Sequence, residues 1–109
     1  MFKSTFAVIF HEKRMKVKVL YLGVLRSKTG KNSEEVKVSG DSSLYDLLET
    51  LSLKYGKSLR DILKINKKST LDPAVIATVN GVSKDMSQAE NIKLKDGDTV
   101  ALMSLISGG

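Results

Sequence analysis

Alternating apolar and polar residues near the start of the chain predict two neighbouring strands. In residues 16–22, apolar side chains of strand-forming types recur at every second position: Val17, Val19 and Tyr21. Turn-forming residues follow at 30–32, and the alternation resumes in residues 34–40 with Val36 and Val38. The pattern therefore predicts a β-hairpin whose strands are joined by a loop.

The apolar period then changes to that of an α-helix. Five large side chains fall on one helical face: Leu44, Leu47, Leu48, Leu51 and Tyr55. Ser43 and Asp46 have the spacing of a capping box, and Gly56 stands where a left-handed C-terminal cap is expected. A shorter apolar pattern over residues 59–63 predicts a second helix, which is followed by a loop that ends at Pro73.

Two more strands and two tight turns complete the predicted sheet. Residues 75–79 alternate as a strand does and end at the Asn-Gly pair 80–81, a strong hairpin signal. The Asp-Gly-Asp turn at 96–98 precedes the last predicted strand, residues 99–106. The element order predicts an α+β domain in which one main helix packs on one face of a mixed sheet.

A single domain accounts for residues 15–109. The chain is short enough for one hydrophobic core, and the recognisable pattern begins at Met15. We interpret residues 1–14 as an N-terminal extension, with an extra edge strand as the alternative. A secretory signal fits less well, because the apolar run there is short and no small-residue cleavage site follows it.

Composition excludes several classes of function. The chain has no cysteine, so its own thiol serves neither as a nucleophile nor as a metal ligand. No apolar run is long enough for a membrane span, so a cytoplasmic protein without membrane contact is expected. The net charge is +6, yet the lysines are spread along the chain and aromatic residues do not interleave with them, so no specific nucleic-acid binding is expected.

Candidate catalytic and cofactor-binding motifs are scarce. His11 is the only histidine and lies in the N-terminal extension, and the glycines do not form a phosphate-binding loop. Asp96 and Asp98 resemble a pair of catalytic carboxylates, but their turn setting favours a structural role. A basic patch is interpreted either as a solvated helix face or as a site for an acidic partner: Lys57, Arg60, Lys64, Lys67 and Lys68.

The candidate chemistry lies at the end of the chain. Gly108 and Gly109 directly follow the last predicted strand and form a thin arm without side chains. A C-terminal carboxylate, with an ordinary pKa of about 3.5, is ionised at neutral pH and is a poor electrophile. It must therefore be activated, for example as an acyl-adenylate, before a sulfur or amine nucleophile attacks it. The activating site is expected on another protein.

Residues 15–109 resemble the small subunit of molybdopterin synthase and its relatives, the thiazole-synthesis sulfur carriers and the archaeal ubiquitin-like small modifiers. The segments that carry the resemblance are KVKVLYLGVLRSKTG, the helix at 43–55, ATVNG, KDGDTVAL and the final SGG. The resemblance implies a β-grasp, ubiquitin-like fold. It also implies a carrier that is not itself an enzyme and binds no cofactor, because ATP is used by the partner that activates it.

The same resemblance implies roles for individual residues. Gly109 is adenylated by a ubiquitin-activating-type enzyme and converted to a thiocarboxylate, and Gly108 enters the active site of the partner. In the molybdopterin branch that partner is the large subunit, where the sulfur passes to a pterin precursor. Partner contacts are predicted at Met103, Leu105 and Ser107.

Two other functions stay open. One alternative is a protein modifier that is joined through Gly109 to lysines of its targets. The other is a sulfur carrier for another pathway, such as thiazole synthesis or tRNA thiolation. A static interaction or RNA-binding module is a third possibility, for which the two terminal glycines have no role.

Overall fold

The computed structural model describes residues 14–63 and 75–104. The N-terminal extension before Arg14, the loop expected to end at Pro73 and the tail after Ser104 lie outside the described residues. The elements are strands β1 (Arg14–Leu22), β2 (Ser33–Ser39), β3 (Val75–Val79), β4 (Val82–Lys84) and β5 (Thr99–Ser104), helices α1 (Val24–Thr29), α2 (Leu44–Tyr55) and α3 (Lys57–Leu63), and a 3-10 helix (Met86–Asn91).

The described strands form one mixed sheet in the order β2-β1-β5-β3-β4. β1 pairs antiparallel with β2, as the predicted hairpin requires, and begins at Arg14, one residue earlier than expected. β5 lies in the middle of the sheet, parallel to β1 and antiparallel to β3. This arrangement, with the main helix crossing one face, confirms the predicted β-grasp fold.

The connection between β1 and β2 differs from the expected loop, because it contains the helix α1. Gly23 precedes this helix with φ 63° and ψ −136°, a backbone conformation that glycine tolerates best. Leu25 is buried in the core and Gly30 closes the helix in the left-handed conformation. One apolar anchor in six residues is too weak a period to be detected in the sequence.

The main helix α2 begins as predicted and ends differently. Ser43 Oγ accepts a hydrogen bond from the N–H of Asp46, and an oxygen of the Asp46 carboxylate accepts one from the N–H of Ser43, so the capping box is confirmed. Gly56 has φ 77° but ψ −156°, which is not the expected left-handed cap. Its backbone turns the chain directly into α3, which confirms the second helix.

The core lies between the helices and one face of the sheet. Val17 and Val19 of β1 and Val100 and Leu102 of β5 are buried there. Four leucines of α2 and two of α3 cover them: Leu44, Leu47, Leu48, Leu51, Leu59 and Leu63. No helix within the described residues is long and apolar enough to cross a membrane.

Candidate functional site

The C-terminal tail follows β5, the central strand of the sheet, in the sequence. Ser104, the last described residue, is buried and pairs with Val75 at the start of β3. Leu105, Ser107, Gly108 and Gly109 lie outside the described residues, so their roles stay predictions. The structure describes what precedes them: β5 pairs with β1 as far as Met103 and with β3 as far as Ser104.

An apolar patch surrounds the end of β5 on the sheet face opposite the helices. Met103 is partly exposed there, between Leu22 of β1 and Ile76 of β3, its register partners. Leu22 is 37% exposed, and Leu20 and Ala101 extend the patch one pair further. We call these five residues the open-face patch. An apolar group of this kind on a sheet face is typical of a partner-binding surface.

The start of β5 is fixed by the Asp-Gly-Asp turn. An oxygen of Asp96 accepts a hydrogen bond from the backbone N–H of Lys16, at 2.8 Å. The two carboxylate oxygens of Asp98 accept bonds from the N–H of Lys95, at 2.7 Å, and from the Asn80 side-chain amide, at 2.8 Å. Asp96 joins this turn to β1 and Asp98 joins it to the turn at Asn80, in agreement with the structural role predicted for them.

A second polar cluster joins the sheet to the end of α2. The Glu34 carboxylate accepts hydrogen bonds from the hydroxyls of Tyr21, at 2.6 Å, and Tyr55. Its other oxygen lies 3.0 Å from the Lys31 ammonium and 2.6 Å from that of Lys54. The Glu34 side chain is only 8% exposed, so four donors compensate for a carboxylate largely removed from water.

The pKa values in this cluster reflect those contacts. Burial raises the pKa of Glu34, but the hydrogen bonds from Lys54, Tyr21, Tyr55 and Lys31 outweigh it and lower the pKa to about 2. Burial and the adjacent Glu34 carboxylate raise the pKa of the Tyr21 hydroxyl well above its usual range. The hydrogen bond to Glu34 also raises the pKa of Lys31. The Tyr21 hydroxyl and the Lys31 ammonium thus keep their protons at neutral pH, and we interpret the cluster as structural rather than as acid-base machinery.

No group of His, Cys, Asp and Glu side chains in residues 14–63 and 75–104 is arranged to hold a metal ion. His11 lies outside the described residues, as do Lys64, Lys67 and Lys68 of the basic patch. Lys57 and Arg60 are exposed on α3, a position compatible with both interpretations of that patch.

Comparison with known proteins adds a family to this geometry. The sequence profile of the ThiS family matches residues 19–109. No protein of curated function matches.

Among solved structures, that of the Haloferax volcanii HVO 2177 protein is 24% identical with a TM-score of 0.74, and 88% of each chain is covered. A putative molybdopterin converting factor, subunit 1, from Pyrococcus furiosus is 26% identical with a TM-score of 0.66, covering 84% of this chain and 99% of that one. Small archaeal modifier protein 1 of Methanosarcina acetivorans is 25% identical with a TM-score of 0.66, covering 89% and 99%.

The family match includes the central strand, the open-face patch and the two terminal glycines, and the solved structures share the fold across nearly their whole length. The chain belongs to the ThiS family of ubiquitin-like sulfur carriers and modifiers.

Proposed function

We propose that this protein carries sulfur as a thiocarboxylate on Gly109 and delivers it to a pterin precursor as the small subunit of a molybdopterin or tungstopterin synthase. The observation that carries the proposal is the family match, which extends through the last residue and therefore includes the glycines that the chemistry needs. The similarity to the Pyrococcus furiosus protein favours the pterin branch.

The chemistry on this chain is limited to its terminal carboxylate. In the first step a carboxylate oxygen of Gly109 attacks the α-phosphorus of ATP, pyrophosphate leaves, and an acyl-adenylate forms. Hydrosulfide then attacks the acyl carbon and AMP leaves, which gives the thiocarboxylate and releases one proton. ATP is bound by the activating enzyme, and no cofactor is assigned to this chain.

Partner docking is assigned to the open-face patch. Met103 is its central residue, and Leu105 follows two positions later along the chain with the same strand parity. Fully extended, the five residues after Ser104 reach at most about 17 Å. A partner that covers the patch therefore has the terminal carboxylate within that distance of its own surface. Ser107 is assigned a contact with the partner, and Gly108 is assigned to the tail segment that enters the partner's active site. The cytoplasmic location expected from composition stays a prediction.

Intact-mass spectrometry tests the carrier function. The protein is incubated with a ubiquitin-activating-type enzyme from the same organism, ATP and sulfide, beside a variant that lacks Gly109. We expect a mass gain equal to the exchange of one oxygen for sulfur in the full-length chain and none in the deletion variant. Equal masses before and after incubation, with no adenylate formed, would contradict the proposal.

A second candidate function is protein modification, which the similarity to small archaeal modifier protein 1 favours. In that case an amine, the side chain of a target lysine, replaces hydrosulfide as the nucleophile on the activated Gly109. Immunoblotting of cell extracts separates the two functions. High-mass conjugates that disappear on deletion of Gly109 indicate a modifier, whereas sulfur transfer to a pterin precursor in their absence indicates a dedicated carrier.

A further inference from the structure

The open face of the sheet carries a second feature beside the apolar patch, a row of exposed cations on β1 and β2. Arg14, Lys16 and Lys18 follow one another at every second position of β1, so they share one face of that strand. Lys37 of β2 lies directly opposite Lys16. We call these four residues the basic strip. It adjoins the open-face patch, because Leu20 is the next residue of β1 on the same face.

Lys16 and Lys37 face each other as a non-hydrogen-bonded antiparallel pair, the kind in which the two side chains lie closer together. The N–H of Tyr21 donates to the carbonyl of Asn32, one step beyond the register pair of Leu20 and Ser33, so Tyr21 and Asn32 face each other as a hydrogen-bonded pair. Hydrogen-bonded and non-hydrogen-bonded pairs alternate along the ladder, so the pair formed by Lys16 and Lys37 is non-hydrogen-bonded, and its side chains start closest together. Like charges directly opposite each other destabilise a sheet.

The strip is not ion-paired within the described part of the chain, although Arg14 and Lys37 line a surface pocket together with Asp41, Asp46 and Glu49. None of its four cations lies within ion-pair distance of a carboxylate there, although Glu35 is the register partner of Lys18. The Asp96 carboxylate is directed to the backbone N–H of Lys16 instead. By contrast, Lys31 and Lys54 both pair with Glu34. The fold therefore keeps four exposed positive charges together beside an apolar surface.

We propose that the basic strip is the electrostatic half of the docking surface, and that it binds carboxylates which the activating enzyme presents beside its own apolar contact for the open-face patch. This inference rests on the proposed function, since it concerns the same partner. Charges at the edge of an interface act mainly on the association rate and on orientation. The strip thus steers the carrier onto the enzyme with β5, and hence the tail, directed to the active site.

The decisive variant is Lys37→Glu, because it separates function from stability. Replacing one of two facing lysines with an acid turns a repulsive cross-strand pair into an attractive one, so the melting temperature should rise. The association rate constant with the activating enzyme at low salt should fall about fivefold to tenfold, with little change in the dissociation rate. Lys37→Gln should give an intermediate rate.

The matched control is Lys28→Glu. It makes the same change in net charge at an exposed position of α1, which follows the end of β1 opposite the basic strip, and should change the association rate less than twofold. Raising the salt concentration should remove the difference between Lys37→Glu and the unchanged protein.

Stopped-flow association at several salt concentrations, with adenylation kinetics measured in parallel, tests the proposal. The expected pattern is a slower, salt-dependent association of Lys37→Glu with an unchanged kcat for adenylation at saturating carrier. Three results would overturn the inference about the strip: unchanged association of Lys37→Glu, an equal effect of Lys28→Glu, or tight binding of a single-stranded RNA oligonucleotide that Lys37→Glu abolishes. Binding without adenylation in the unchanged protein would instead contradict the carrier function, while the rate comparison still decides the role of the strip.

Discussion

At the scale of single residues, Glu34 is the clearest case of an ionisable group fixed by its surroundings. Its position in β2 has the same parity as Val36 and Val38, which face the core. A carboxylate there persists only because Tyr21, Tyr55, Lys31 and Lys54 satisfy it. The edge-to-face contact of the two tyrosine rings, with centroids 6.3 Å apart, adds packing to the hydrogen bonds.

Glu34→Gln should weaken the dependence of the free energy of unfolding on pH in the acid range. The folded-state pKa of Glu34, about 2, is lower than its ordinary value of 4.5, so the unfolded chain binds a proton more readily. The stabilisation is complete above pH 4.5 and is lost as the pH falls towards 2. It amounts to at most about 3 kcal/mol, which Gln, having no carboxylate to titrate, does not show.

Urea unfolding of the two proteins between neutral pH and the acid range measures this difference. Glu35→Gln, at the exposed neighbouring position, is the matched control and should leave the profile unchanged. If the Glu34 variant lost stability in acid as steeply as the unchanged protein, the cluster would not be the source of the dependence.

At the scale of elements, α2 depends on its first turn as well as on its leucines. Ser43→Ala removes one half of the capping box and should lower the free energy of unfolding by about 1 kcal/mol. Asp46→Ala removes the other half. Because the two side chains satisfy each other's backbone N–H groups, the double variant should lose less than the sum of the single losses.

Denaturant unfolding of the single and double variants gives the coupling free energy directly. Ser58→Ala, an exposed serine of α3, is the control and should change stability by less than about 0.5 kcal/mol. Strict additivity of Ser43→Ala and Asp46→Ala would mean that the reciprocal bonds do not stabilise the helix as a pair.

The elements that the sequence predicts best are those with a long period or a tight turn. The strand around Val17 and the helix from Leu44 each repeat one spacing over several residues. The turn at 80–81 has positive φ at both positions, which Asn and Gly tolerate better than other residues, so their pairing predicts it. By contrast, α1 and the 3-10 helix are one or two turns long, and contacts distant in sequence stabilise them. The 3-10 helix contributes Met86 and Ala89 to the core, within a stretch that otherwise reads as polar.

The candidate site was predictable only in part for the same reason. Met103 follows from the alternation of β5, because its parity is opposite to that of Leu102. The Glu34 cluster was missed, since it joins residues from two strands, a turn and a helix that no local pattern relates. The one available signal was an acidic residue at the core-facing parity of β2. Which face of β5 meets the helices depends on packing across the sheet, which a local period does not encode.

At the scale of the whole molecule, the two faces of the sheet carry different kinds of residues. The helix side holds the leucines that stabilise the fold, and the open side combines the open-face patch with the basic strip. The basic strip lies on β1 and β2, the open-face patch lies on β1, β5 and β3, and the tail follows β5, the central strand of the patch. Under the proposed function, β1 and β5 therefore link docking to the delivery of the carboxylate.

Met103→Lys should separate binding from folding. A lysine at this partly exposed position keeps its charged end in water in the free protein, so thermal unfolding should change little. In the complex the charge would be buried against an apolar surface, and KM for adenylation should rise about tenfold to thirtyfold while kcat at saturation stays near its original value. Leu53→Lys is the matched control, since Leu53 is 72% exposed on α2, far from the open side in the layer order. Equal effects of the two substitutions on KM would show that added charge alone weakens the complex and that the patch is not the docking surface. A fall in kcat without a change in KM would instead place Met103 on the path of the tail into the active site, because only a step after binding would then be impaired.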